Sequence, residues 1–400
     1  MIIYNMIVVT LKAEINDMKK FLLWFFSIVI VLLVFGGGCF VLAKYKTDSM
    51  AHRYYESFFE KSVSNDLQSN ELTKAIYTVP VAAKTDTNAK KVDSALKANN
   101  LVGSAAIVRN GKLSYVTSRG QSKYPNGAKN TETTMYQIGS AQDLITAASV
   151  MYLKEHGKLS LSDKLSKYYP EISHAKHITV DQLLNMTSGL STITNAKATE
   201  SFPTLLSWNE QHVVSSGVTG SYDYKSVNYV LLAGIIQKAS GQPYREFVKA
   251  HLLDKLSLKH SGFALNDDQR RKLATPYEDS YSGGKTATTG MTKLQSTKLG
   301  PYQMYMSVKD LTTSYFYILS GKLISKTNVK ELTQTASSKF SGGVYPSDTG
   351  FTVHGQLGGY QDSIQIDTKK QNGVFLLTNY VPTGIKNTQT APIIYNKAFE

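Results

Sequence analysis

The chain has 400 residues, enough for one large domain or two ordinary ones, and 42% of them are apolar against 18% charged, so it can build a core and is not mainly disordered. A single cysteine excludes an internal disulfide framework and any multi-cysteine metal site. Lys plus Arg exceeds Asp plus Glu by 44 to 30, a formal +14, and that excess points to an anionic partner.

Residues 21–43 contain no charge and are nearly all apolar, with Lys19 and Lys20 before them and Lys44 and Lys46 after. At about 1.5 Å per residue the run is long enough to cross a bilayer and longer than the usual core of a cleaved signal. It predicts an uncleaved single-pass anchor, with residues 1–20 as a short cytoplasmic segment and the long C-terminal part outside the cell. Met18-Lys19-Lys20 reads as an alternative start. Cys39 follows three glycines, but Gly36 stands where a lipoprotein signal needs an aliphatic residue, so the plain reading is a membrane-helix residue. Residues 44–91 are polar and rich in Lys, Thr, Ser, Asn and Ala, and are expected to form a stalk. The globular domain is then 92–400. Because it lacks cysteine, it needs no oxidising machinery outside the cell, which suits a Gram-positive surface.

Within the domain, 102–108 and 113–117 predict a hairpin around Asn110-Gly111, a pair that tolerates the positive φ of a tight turn. Residues 141–156 carry Leu144, Ala147, Ala148 and Met151 at helical spacing and stop at Gly157. Helical segments are also predicted at 183–186, 228–239 and 391–399, and strands at 363–366 and 373–378. Strands near both ends with helices between predict an α+β fold: an antiparallel sheet built from both termini, packed with helices, plus an inserted helical region.

The ordered strings resemble the serine β-lactamase and penicillin-binding-protein superfamily, in its class C-like branch, which includes D-alanyl esterases acting on teichoic acid. The resemblance spans about 100–385. It rests on Tyr136-Gln-Ile-Gly-Ser140 leading into a helix, Gly157-Lys-Leu-Ser-Leu-Ser-Asp163, Tyr168-Tyr-Pro-Glu171, Ile178-Thr-Val-Asp-Gln-Leu-Leu184 and Thr187-Ser-Gly-Leu190. Tyr224, Asn228-Tyr-Val-Leu-Leu-Ala-Gly234, Ser240-Gly-Gln-Pro-Tyr244, Met304-Tyr-Met-Ser307 and Asp310 continue it.

The resemblance implies three motifs. In the first, Ser-x-x-Lys, the lysine takes the serine proton; here it reads Ser140-Ala141-Gln142-Asp143. An ordinary aspartate titrates near 3.9, is a weak base at neutral pH, and places negative charge beside a developing oxyanion. The second, Tyr-x-Asn, reads Tyr224-Lys225-Ser226, with the proton-relaying tyrosine present and a shorter hydrogen-bonding side chain third. Lys225 replaces the missing amine only if it turns inward. The third, Lys-Thr-Gly or His-x-Gly, falls at Val353-His354-Gly355-Gln356 in either of two registers, one placing His354 and the other Val353 at the histidine position.

The implied catalytic set is Ser140, Tyr224 and His354, with Asp143, Ser226 and Gln356 at altered motif positions. The Ser140 and Gln356 backbone N–H groups would form the oxyanion hole. Ser140 also has a purely structural reading as a helix N-cap, and Asp143 one as a charge complementing the helix dipole. No metal or cofactor is implied. The expected ligands are D-alanylated teichoic acid, peptidoglycan stem peptides or β-lactams, and no nucleic acid. Two functional readings stand: a pseudoenzyme that binds envelope polymer with the inherited cleft, and a serine D-alanyl esterase or carboxypeptidase working with a non-standard base.

Overall fold

The computed structural model describes residues 87–125, 127–192, 211–265, 267–279, 285–287, 302–333, 339–381 and 387–400. The predicted anchor, Cys39 and nearly all of the predicted stalk lie outside the described residues. Among those described, no helix is long and apolar enough to cross a membrane.

Among the described residues the central sheet has six strands: β1 (Gly103–Arg109), β2 (Lys112–Arg119), β3 (Tyr345–Pro346), β4 (Gly350–Leu357), β5 (Tyr360–Asp367) and β6 (Asn372–Thr378). Their order is β3-β4-β5-β6-β1-β2, and every neighbouring pair is antiparallel. The predicted β1–β2 hairpin turns through Asn110 (φ 49°) and Gly111 (φ 73°). Strands from the two ends of the domain meet at the β1–β6 pairing, Gly103 opposite Thr378.

Among the described residues, six helices of eight residues or more accompany the sheet: α1 (Thr87–Ala98), α2 (Gln142–Glu155), α3 (Val227–Ser240), α4 (Val308–Leu319), α5 (Lys326–Thr333) and α6 (Asn387–Phe399). Alternation along β1 sorts its side chains. Ala105 and Ile107 pack with Val92 and Leu96 of α1 and Ala391, Ile394 and Ala398 of α6. Ala106 and Val108 join the larger core formed with α2, α3 and α4. The helix α1 starts five residues before the boundary read from composition, and Ala89 and Val92 are buried in it. The predicted helix at 183–186 is a single turn, Val180–Leu184, opened by a Thr179/Gln182 capping box; Met186 adopts φ 55°, which ends helical geometry.

The functional region lies where the start of α2 meets β4. Tyr136–Gln137 forms a short strand paired with Met304–Met306, and Gly139 (φ 48°) turns the chain into a 3-10 turn, Gly139–Ala141, that runs on into α2. Three bonds hold this turn. Gln142 Oε1 accepts the N–H groups of Gln303 and Met304 at 3.0 and 2.8 Å, and Tyr315 of α4 donates its hydroxyl to the Ala141 carbonyl at 2.9 Å.

Candidate active site

Ser140 is 9% exposed and does not cap α2. Its Oγ instead lies 2.9 Å from the Tyr224 hydroxyl. Tyr224 comes from the loop before α3, with its ring edge-on to Phe340 at 5.5 Å. Its hydroxyl donates to Asp143 Oδ2 at 3.0 Å. Ser140, Tyr224 and Asp143 thus form one continuous hydrogen-bonded chain, although Tyr224 is 84 residues from Ser140 in sequence. The Tyr302 hydroxyl also reaches hydrogen-bonding range of both Ser140 and Tyr224.

Asp143 is fully buried on the first turn of α2, and its Oδ1 has no hydrogen-bond partner. Burial pushes its carboxyl well above the ordinary carboxylate range; the Tyr224 hydrogen bond opposes this, and the nearby Asp362 charge adds to the rise. Among the described residues, no cation is one of the groups acting on it. Burial thus favours the protonated form of this carboxyl. Burial, and next the Asp143 charge, raises the Tyr224 hydroxyl well above its usual value, so it stays protonated.

The strand register resolves the third motif. A methyl group built on Gly355 would lie 2.9 Å from the Ser140 backbone nitrogen and 3.1 Å from its Cβ. Gly355 is therefore the strand glycine that approaches the serine, and Val353 stands two residues before it at the histidine position. Alternation sends His354 to the other face. There its ring stacks on Tyr345 with centroids 4.2 Å apart and planes at 12°, it makes no hydrogen bond to Ser140, and burial lowers its pKa. The structure thus corrects the alternative register that would bring His354 to the serine. Gln356 is exposed, with its side chain 3.3 Å from Gln361. Lys225 turns outward to Asp223 at 3.3 Å and supplies no amine to the site. Ser226 begins α3 without a capping bond from its side chain.

Two residues near Ser140 escaped the sequence reading. Tyr302 sits in a segment whose composition gives no structural signal. Asp362 was findable: Gly358-Gly359 is a two-residue hairpin turn, and counting back from it pairs Gly355 with Asp362. Asp362 is 2% exposed, and burial pushes its carboxyl up to about 8, against hydrogen bonds from its own backbone and from Gly355. Among the described residues, no cluster of metal-ligating side chains is present.

A serine at the start of a buried helix, a tyrosine from the helical region and a glycine-bearing strand beside both are the arrangement of the serine β-lactamase and penicillin-binding-protein class. The Beta-lactamase family profile matches residues 89–394, and the chain belongs to that family. The Bacillus subtilis (strain 168) protein PbpX, named for penicillin binding, is 29% identical over 346 residues, 85% of each chain. A teichoic acid D-alanine hydrolase of Staphylococcus aureus is 28% identical over 267 residues, 66% of this chain and 64% of that protein. The chain thus spans just under two thirds of that relative's length. Among solved structures, FmtA from Staphylococcus aureus superposes with a TM-score of 0.70 and 25% identity, over 85% of this chain and 93% of that one. A class C beta-lactamase gives 0.63 and 19% over 80% and 98%, a likeness of fold alone.

Proposed function

We propose that this chain is a membrane-anchored, extracellular protein of a Gram-positive cell envelope that binds D-alanyl-bearing polymer, teichoic acid or peptidoglycan, beside Ser140, with acyl transfer suppressed at neutral pH. The observation that carries this is the chain from Ser140 through Tyr224 to Asp143: where the family has an amine it ends in a buried carboxyl whose protonated form burial favours, which weakens it as an acceptor of the serine's proton. Losing a general base removes about 10²–10⁴ in rate. The uncharged run 21–43 supports the anchor, and the formal +14 suits a phosphate-rich polymer. The names and organisms of the relatives support the D-alanyl group and the Gram-positive envelope.

The unbroken chain also favours a second reading, a D-alanyl esterase active where Asp143 is ionised. With Asp143 ionised, Ser140 Oγ attacks the ester carbonyl as its proton passes to Tyr224, whose own proton passes to Asp143 Oδ2. The Ser140 and Gln356 N–H groups hold the oxyanion. The alkoxide then departs with a proton, leaving an acyl-serine for water to release. An ester needs less activation than an amide, so the ester is the substrate of this reading.

The test uses the full chain in detergent, with a fluorophosphonate probe, a fluorescent penicillin, a chromogenic D-alanyl ester and D-alanylated lipoteichoic acid. The expected result near pH 7 is polymer binding without Ser140-dependent labelling or turnover. Turnover near pH 7 that vanishes in Ser140→Ala overturns the first reading. Turnover that appears only as pH rises, and vanishes in Asp143→Asn, establishes the second.

A further inference from the structure

Strands β4 and β5 bring a second carboxyl to Ser140. Asp362 stands opposite Gly355 across the two strands. A methyl group on Gly355 would lie 2.6 Å from Asp362 Oδ1, and one on Gly139 would lie 2.9 Å from the same oxygen. The methyl on Gly355 would also lie 2.9 Å from the Ser140 nitrogen. The carboxyl, the two glycines and the Ser140 N–H therefore share one small volume, and Gly355 donates its own N–H to the carboxyl. Asp362 thus lies against the glycine that precedes each of the Ser140 and Gln356 N–H groups.

We propose that Asp362 is a positioning residue of the oxyanion hole, admitting an anionic tetrahedral adduct when protonated and excluding it when ionised. This rests on the reading above that the Ser140 and Gln356 N–H groups form that hole.

The surroundings sharpen the effect. Asp143 on α2, Tyr302 ahead of the 304–306 strand and Tyr315 on α4 all respond to the charge of Asp362. A charge there acts through a poorly screened interior. With the carboxyl pushed up to about 8, the hole is open at mildly acid and neutral pH and closes above that value. The base of the second reading requires Asp143 to ionise, so the rise of pH that would supply a base also closes the hole.

The experiment titrates the full chain in detergent with phenylboronic acid, followed by boron NMR. The Ser140 Oγ–H bond breaks, an Oγ–B bond forms, the proton goes to solvent, and the adduct is a tetrahedral anion. The probe's own ionisation is common to every protein, so the affinity ratio of Asp362→Asn to the unsubstituted chain isolates the carboxyl. The expected ratio is near one at about pH 6 and at least about tenfold at about pH 9.5. A thermal melt checks folding, and Asp362→Ser serves as a second variant. Should neither fold, the unsubstituted chain must still lose adduct affinity above about pH 8 beyond what the probe's ionisation explains, and a chain that does not overturns the proposal. An adduct that Ser140→Ala abolishes, with a ratio that does not change with pH, removes the role of Asp362 and leaves the hole standing. Failure of every protein to form a Ser140-dependent adduct at any pH removes the hole itself and the proposal with it.

Discussion

Replacing Asp362 by asparagine removes a buried charge while nearly preserving shape, and the consequence for stability can be worked out in sign and size. The carboxyl titrates near 3.8 in its ordinary state and at about 8 when folded. Between those values the folded chain holds a proton that the unfolded chain releases. Stability from this group is therefore fully present below the ordinary value, is lost as pH rises through the folded one, and is flat beyond. About four pH units at about 1.4 kcal/mol each give roughly 6 kcal/mol, an upper bound because local relaxation and water entry reduce it. The amide carries no charge and loses nothing over the same range. Asp362→Asn should therefore gain on the unsubstituted protein by at least about 2 kcal/mol between about pH 5 and pH 9. In a domain of this size that is a growth of about 4 °C or more in the melting-temperature difference. Scanning calorimetry of both proteins at about pH 5, 7 and 9 measures it. Any constant penalty from the amide's extra donor shifts all points equally, so the slope is diagnostic. A difference that stays within about 1 °C across the series would refute the claim that burial raises this carboxyl.

Asp143→Lys restores an amine one helical turn from Ser140, facing the Asp362 carboxyl. If the aspartate is the only defect, Ser140-dependent hydrolysis of a D-alanyl ester should rise about 10²-fold or more, and no change means other parts of the cleft are lost too. Tyr224→Phe removes the hydrogen bond to the Asp143 carboxyl along with that to Ser140, and should lower stability by about 1–3 kcal/mol, read from denaturant midpoints. Gly355→Ala places a methyl within 2.6 Å of Asp362 Oδ1 and 2.9 Å of the Ser140 nitrogen, and should cost about 1–3 kcal/mol and abolish any Ser140-dependent adduct. Binding of D-alanylated lipoteichoic acid should weaken steeply as salt is raised from about 50 to 300 mM, if the basic excess supplies the attraction; a flat response places recognition in the cleft alone.

The elements that were legible in the sequence are those with strong local signals. Asn110-Gly111 specifies the β1–β2 turn through positive φ. The apolar spacing of α2 and α3 survives even though both are buried on almost every side, and Gly157 and Gly241 end them at φ 64° and 73°. Less legible were α1, whose polar first five residues with Lys90 and Lys91 read as stalk, and the final helix, which starts before Pro392 rather than near it. In both, the decisive fact is the partner: α1 and α6 bury their narrow apolar stripes against each other and the outer face of the sheet.

Order of motifs along the chain was sufficient to determine the family, and the residue at 143 was sufficient to determine that the usual amine is missing. Tertiary structure alone decided what takes its place. A side chain's titration depends on the water and charge around it, and segments more than 80 residues away supply both: Tyr224 as the donor and Asp362 as a second carboxyl. Which of two neighbouring residues on β4 faces Ser140 was likewise settled by pleat and packing, because a shift of one residue along a strand exchanges its faces.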